Sequence, residues 1–73
     1  MGKRYLYRDR ILYIKACQSV NNVNYAPFFI DLKGYARLFL FRGELFIRQR
    51  MEDAQADLDA FAQKRGLREA KAK

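Results

Sequence analysis

The chain of 73 residues reads as an α+β fold: a small antiparallel sheet, a three-stranded meander plus an N-terminal strand or hairpin, with one C-terminal amphipathic helix packed on one face. Three observations predict it. β-branched and aromatic runs broken by Gly-containing dipeptides occupy residues 10–16 and 28–49. The hydrophobic period changes to that of a helix at Met51. Gly66 then stands where the helical period stops. So short a chain supports a single domain, placed at residues 1–67 and followed by a basic tail at 68–73.

The first element is a strand at residues 10–16, Arg-Ile-Leu-Tyr-Ile-Lys-Ala, preceded by a shorter partner around Tyr5-Leu6-Tyr7 with a turn near Arg8-Asp9. Residues 18–27 hold three Asn and the single Pro, and the composition reads as a loop. Three further strands are expected at 28–32, 35–41 and 44–49. Lys33-Gly34 and Arg42-Gly43 separate them as two-residue turns, because Gly accepts positive φ freely. In the helix, Met51, Ala54, Leu58, Phe61 and Ala62 form the apolar stripe, acids come early and Lys64-Arg65 late, in accord with the helix dipole. No clear N-cap precedes it, while Gly66 and Leu67 fit a Schellman ending.

Two-residue turns dictate the register. Phe41 would face Glu44, Phe39 would face Phe46, Arg37 would face Arg48 and Tyr35 would face Arg50, all on one side of the sheet. Leu40 with Leu45 and Leu38 with Ile47, beside Phe29, would form the apolar side that seats the helix. The other side interleaves aromatic rings with Arg, a surface suited to stacking bases and contacting phosphates. Arg37 opposite Arg48 would repel unless an anion or carboxylate lay between them. A slip of one residue in register would exchange the two faces. Closure of residues 5–16 over the aromatic side, making a small barrel, stays open at this level.

Chemistry is sparse. The chain has no His, Trp or Thr, one Ser (Ser19) and one Cys (Cys17), so most enzyme classes are disfavoured, and Cys17 lacks a base or a metal-ligand partner. Asp31 and Glu44 are the carboxylates of the meander; as a metal-dependent nuclease pair they would want a Lys where Phe46 stands, and they read as turn or surface residues. The four Gly match no phosphate loop, and no cofactor is expected. Charge is uneven: residues 1–50 carry ten bases and three acids, whereas residues 51–73 carry five of each, so the net +7 resides in the first two thirds. No apolar stretch follows the N-terminal charges as in a signal peptide, no run is long enough to span a membrane, and the expected setting is cytoplasmic.

The functional expectation is a small non-enzymatic module that binds nucleic acid. Arg37, Arg48 and Arg50 would meet phosphates or bases, Tyr35, Phe39 and Phe46 would offer stacking surfaces, and Lys3, Arg4, Arg8 and Arg10 would add sequence-independent attraction. The alternative is a protein-interaction module, either a homodimer or an inhibitor of phage or mobile-element type that docks on an acidic or apolar host surface. Over residues 28–66, the order of strands followed by a helix packed behind them is similar to AP2-type domains and to the arm-type DNA-binding domains of tyrosine recombinases. That resemblance implies a sheet face laid into DNA, but the Trp common in such sheets is absent here, and fold alone does not assign function.

Overall fold

The computed structural model describes residues 2–70. Strands β1 (Arg4–Tyr7), β2 (Arg10–Gln18), β3 (Val23–Ile30) and β4 (Ala36–Leu38) precede helix α1 (Met51–Arg65), and β5 (Glu69–Ala70) closes the chain. All pairings are antiparallel, in the order β4-β3-β2-β1-β5, so the sheet is open and residues 5–16 form part of it instead of folding over it. The helix covers one face. Among the described residues no helix is long and apolar enough to cross a membrane.

The N-terminal hairpin forms as expected, with Tyr5 paired to Leu12 and Tyr7 to Arg10. Its two turn residues, Arg8 (φ 51°) and Asp9 (φ 65°), both take the left-handed conformation, which matches the twist of the flanking strands but disfavours side chains other than Gly, Asn and Asp. The segment 18–27 is the first departure, because β2 and β3 run through most of it and the connection shrinks to residues 19–22. Ser19 closes that loop, its backbone N–H and its hydroxyl both donating to the Asn22 carbonyl. Pro27 is tolerated inside β3 because its ring nitrogen lies on the edge away from β2, where its carbonyl accepts from the Phe39 N–H at 2.9 Å.

Both Gly-containing turns are longer than two residues, and this decides the faces. Asp31 accepts from the backbone N–H groups of Lys33 and Tyr35, so residues 31–35 make a five-residue loop and Phe28, not Phe29, lies opposite Leu38. At the second turn Phe41 bridges Leu45 instead of Glu44, with Gly43 at φ 81°. Each change is a slip of one residue, and such a slip moves every side chain to the other face. The segment 44–49 makes no strand. It touches the sheet at one bridge, Tyr25 with Arg48, where the two backbones exchange bonds of 2.7 and 2.8 Å.

The core therefore keeps Leu45 and Phe29, as expected, but takes Phe39 and Phe41 in place of Leu38, Leu40 and Ile47. Tyr5, Leu12, Leu45, Leu58, Phe61 and Ala62 are buried, and Tyr7, Ile14, Phe29, Phe39, Phe41 and Leu67 pack around them. Phe39 stands within 5.6–6.2 Å, ring centre to ring centre, of Tyr7, Phe29, Phe41 and Phe61. Leu38, Leu40 and Ile47, expected beneath the helix, are 47%, 47% and 52% exposed.

The helix ends as its sequence dictates. Gly66 is left-handed, its N–H donates to Gln63 O, and the Leu67 N–H reaches Ala62 O at 2.9 Å. At the other end Arg50 is an extended N-cap without a side-chain bond. Beyond Leu67 the chain, expected as a tail, adds Glu69–Ala70 to the β1 edge, while 71–73 lie outside the described residues.

Candidate nucleic-acid interface

Side chains alternate across a strand, so the residues between those that face the helix form the second face of the sheet. In β1 and β2 these are Arg4, Leu6, Ile11, Tyr13, Lys15 and Cys17, and in β3 and β4 they include Phe28, Ile30, Ala36 and Leu38. Helix α1 packs on the side of Tyr5 and Leu12 and leaves this face uncovered by a helix; Tyr13, Phe28 and Ile30 are half-buried there, and Ala26, opposite Lys15, is buried among them. Tyr13 lies directly opposite Phe28 on the two central strands, and Phe28 lies opposite Leu38. The Arg4 guanidinium sits 5.6 Å from the Tyr13 ring centre, and the Lys15 Nζ 5.1 Å from that of Phe28. The sequence thus places two adjacent aromatic rings at the middle of an open sheet, with one cation bracketing each.

The arginines singled out from the sequence lie elsewhere, and each has its own carboxylate. Arg37 pairs with Asp31 at 2.9 Å and Arg48 with Asp57 at 2.7 and 3.2 Å, while Arg50 pairs with Glu52. Asp57 beside Arg48 and Glu52 beside Arg50 hold both guanidinium groups more firmly protonated. Arg37 faces Phe29 instead of Arg48, so the expected like-charge clash, and the anion inferred to relieve it, do not arise. Phe39 packs against the core on the helix side, away from the uncovered face. Phe46 is exposed, with Arg48 4.8 Å from its ring centre, but that guanidinium is held by Asp57 and the ring lies off the strands of the sheet. Tyr35 is 64% exposed in the loop after β3. These side chains do not share one face.

The N-terminal cations behave differently. Among the described residues Lys3, Arg4, Arg8, Arg10 and Lys15 form no ion pair, whereas Arg37, Arg48, Arg50 and Arg65 all do. Lys33, Arg42, Lys64 and Arg68 form none either, so five of the nine cations without an ion pair among the described residues lie on or beside β1, β2 and their turn. Arg4 and Lys15 belong to the uncovered face and Lys3 is exposed at the start of β1, whereas Arg8 and Arg10 lie at the helix-side edge over the Tyr7 and Phe29 rings.

The two hairpin carboxylates are occupied structurally. Two backbone amides and Arg37 hold the Asp31 carboxyl below its ordinary range, and the Arg65 fork does the same for Glu44 at 2.7 and 2.9 Å. Among the described residues no group of three His, Cys, Asp or Glu could hold a metal ion.

Tyr13, Lys15 and Phe28 are the site residues that the sequence reading missed, although for the first two the signal was present: β2 alternates Leu12, Ile14 and Ala16 with Ile11, Tyr13, Lys15 and Cys17. An aromatic and a cation on the side opposite the aliphatic stripe mark a second face of different chemistry. No protein family model, no curated protein and no solved structure matches this chain.

Proposed function

We propose that the protein is a non-enzymatic module that binds single-stranded nucleic acid on the uncovered face of its sheet. The observation that carries this reading is the Tyr13–Phe28 pair of rings on adjacent inner strands, with Arg4 of β1 over Tyr13 and Lys15, two residues further along β2, over Phe28. Stacking needs exposed ring faces at base spacing, which a duplex denies and a single strand supplies. Each stacked base contributes about 1–3 kcal/mol, and each phosphate neutralised lowers log K by about 0.7 per tenfold rise in salt. Lys3 extends the same positive field at the start of β1. The roles expected of Arg37, Arg48 and Arg50 pass to Arg4 and Lys15, because a guanidinium already held by a carboxylate must release it before gripping a phosphate.

The test is the salt dependence of binding to a labelled oligothymidylate. Arg4→Ala and Lys15→Ala should each flatten the slope of log K against log salt by about 0.7. An unchanged slope in both variants would refute the assignment.

A second reading, a protein-interaction module, rests on a separate observation. Leu38, Leu40, Phe46 and Ile47 are all 40–52% exposed and flank one margin of the sheet. A dimer that persists at high salt and dissociates on Leu38→Lys with Leu40→Lys would favour it.

A further inference from the structure

On the helix side of the sheet, at the edge nearest the β1–β2 turn, a half-open cleft of about 440 Å³ is walled by Tyr7, Phe29, Phe39 and Phe41, with Leu12 at its base. Its size falls within the roughly 300–1,000 Å³ of small-ligand sites. The walls are ring surfaces. Phe39 meets Phe29 at 84° and Phe41 at 36°, so the rings lining the space are not parallel to one another. Arg8 and Arg10 complete the rim, each guanidinium carbon 5.4 Å from a ring centre, that of Tyr7 and Phe29 respectively. Neither forms an ion pair among the described residues, and Asp9, between them in sequence, pairs with neither.

From this juxtaposition we infer that the cleft binds a nucleotide: a planar base among the aromatic walls, with its phosphate on Arg8 and Arg10. The chemistry selects this class. Flat rings recognise a flat ring better than a flexible chain, because stacking uses the whole face. Two free guanidinium groups at the mouth suit a phosphate, which accepts from both forks while its base remains inside. The turn geometry supports the same conclusion. Arg8 occupies a left-handed position where Gly or Asn costs less, and the arginine there brings its charge to the rim. This cleft lies on the face opposite Tyr13 and Phe28, so its occupancy does not rest on the sheet-face reading.

The test is titration of the isotopically labelled protein with adenosine monophosphate, followed by amide NMR shifts. Saturable shifts at Tyr7, Leu12 and Phe29 are expected, with binding at least about tenfold tighter than to adenosine or to inorganic phosphate alone, as two charge-assisted contacts imply. Arg8→Asn with Arg10→Gln, which suits the turn and leaves the core untouched, should weaken it at least about tenfold. Tyr13→Ala with Phe28→Ala should leave it unchanged. A free nucleotide and the end nucleotide of a strand share this chemistry. With the Tyr13 and Phe28 rings removed, displacement by a 5′-phosphorylated octanucleotide marks the strand as source, and retention marks the free nucleotide. The inference is overturned by absent cleft shifts at millimolar ligand, by shifts confined to the β2–β3 outer face, or by equal binding of decanoate.

Discussion

Phe39 and Leu38 are neighbours in β4 and its extension, and their substitution separates the two registers cleanly. With two-residue turns Leu38 would lie under the helix and Phe39 would be exposed; in the structure Phe39 packs among four rings and Leu38 is 47% exposed. Truncating a fully buried Phe to Ala costs about 3–5 kcal/mol, through lost transfer energy and the cavity left behind. Phe39 is only partly buried, so about 2–3 kcal/mol is expected for Phe39→Ala. Leu38→Ala exchanges methyl groups already half in water and should cost under about 1 kcal/mol. At about 0.05–0.15 kcal/mol per residue a domain of this length is stable by about 4–11 kcal/mol, so Phe39→Ala removes a substantial share. Urea unfolding followed by circular dichroism reads both variants against the unsubstituted chain. Equal losses, or a larger loss for Leu38→Ala, would refute the register and every face assignment built on it.

Other consequences follow from single contacts. Burial, and a 2.6 Å bond from its hydroxyl to Asp59, push the Tyr5 pKa up to about 12. Because the folded state holds this proton more tightly than the unfolded chain, stability is intact below pH 10 and should fall by about 2–3 kcal/mol as pH rises to 12. Tyr5→Phe should lose about 1–2 kcal/mol at pH 7 yet show a shallower alkaline decline; parallel curves would contradict the assignment. Replacing Arg8-Asp9 by Asn-Gly suits the left-handed turn, and should stabilise the fold by about 0.5–1 kcal/mol and raise Tm by about 2–8 °C, measured by thermal unfolding. Arg65 grips Glu44 with both arms of its fork while stacking 3.9 Å from the Phe61 ring centre, so Arg65→Lys should lower Tm although charge is kept. The Glu44 side of that clamp, with its carboxyl held low by Arg65, contributes at neutral pH and is lost only as pH falls below the ordinary carboxylate range.

Much of the architecture was legible because local chemistry and tertiary packing agree there. The Met51–Phe61 stripe, Gly66 and Leu67 specify a helix and its ending without reference to the sheet, and the alternation in residues 5–16 specifies a hairpin. The β3 strand was hidden because Asn and Pro favour turns, while Pro27 escapes that rule by turning its ring nitrogen away from β2. The meander register was hidden because a Gly marks a turn without stating its length. At the first turn the Asp31 carboxylate captures two backbone amides and draws further residues into the loop. Two such slips exchanged the aromatic and aliphatic faces, and with them the stacking role assigned to Phe39. The arginine partners were invisible for another reason: Arg48 meets Asp57 only once the chain has passed from the sheet edge into the helix.

The central claim is that single-stranded nucleic acid lies on the open sheet face. Its most direct test is the affinity of a fluorescently labelled octathymidylate, by anisotropy at about 50 mM salt, where phosphate contacts are strong. Three proteins are compared: the unsubstituted chain, one carrying Tyr13→Ala with Phe28→Ala, and one carrying Arg48→Ala with Arg50→Ala. Loss of two stacked bases, about 2–6 kcal/mol together, should weaken binding by at least about thirtyfold in the first pair, with little change in the second. No binding by the unsubstituted chain would contradict the account, as would a loss confined to the Arg48 and Arg50 variant.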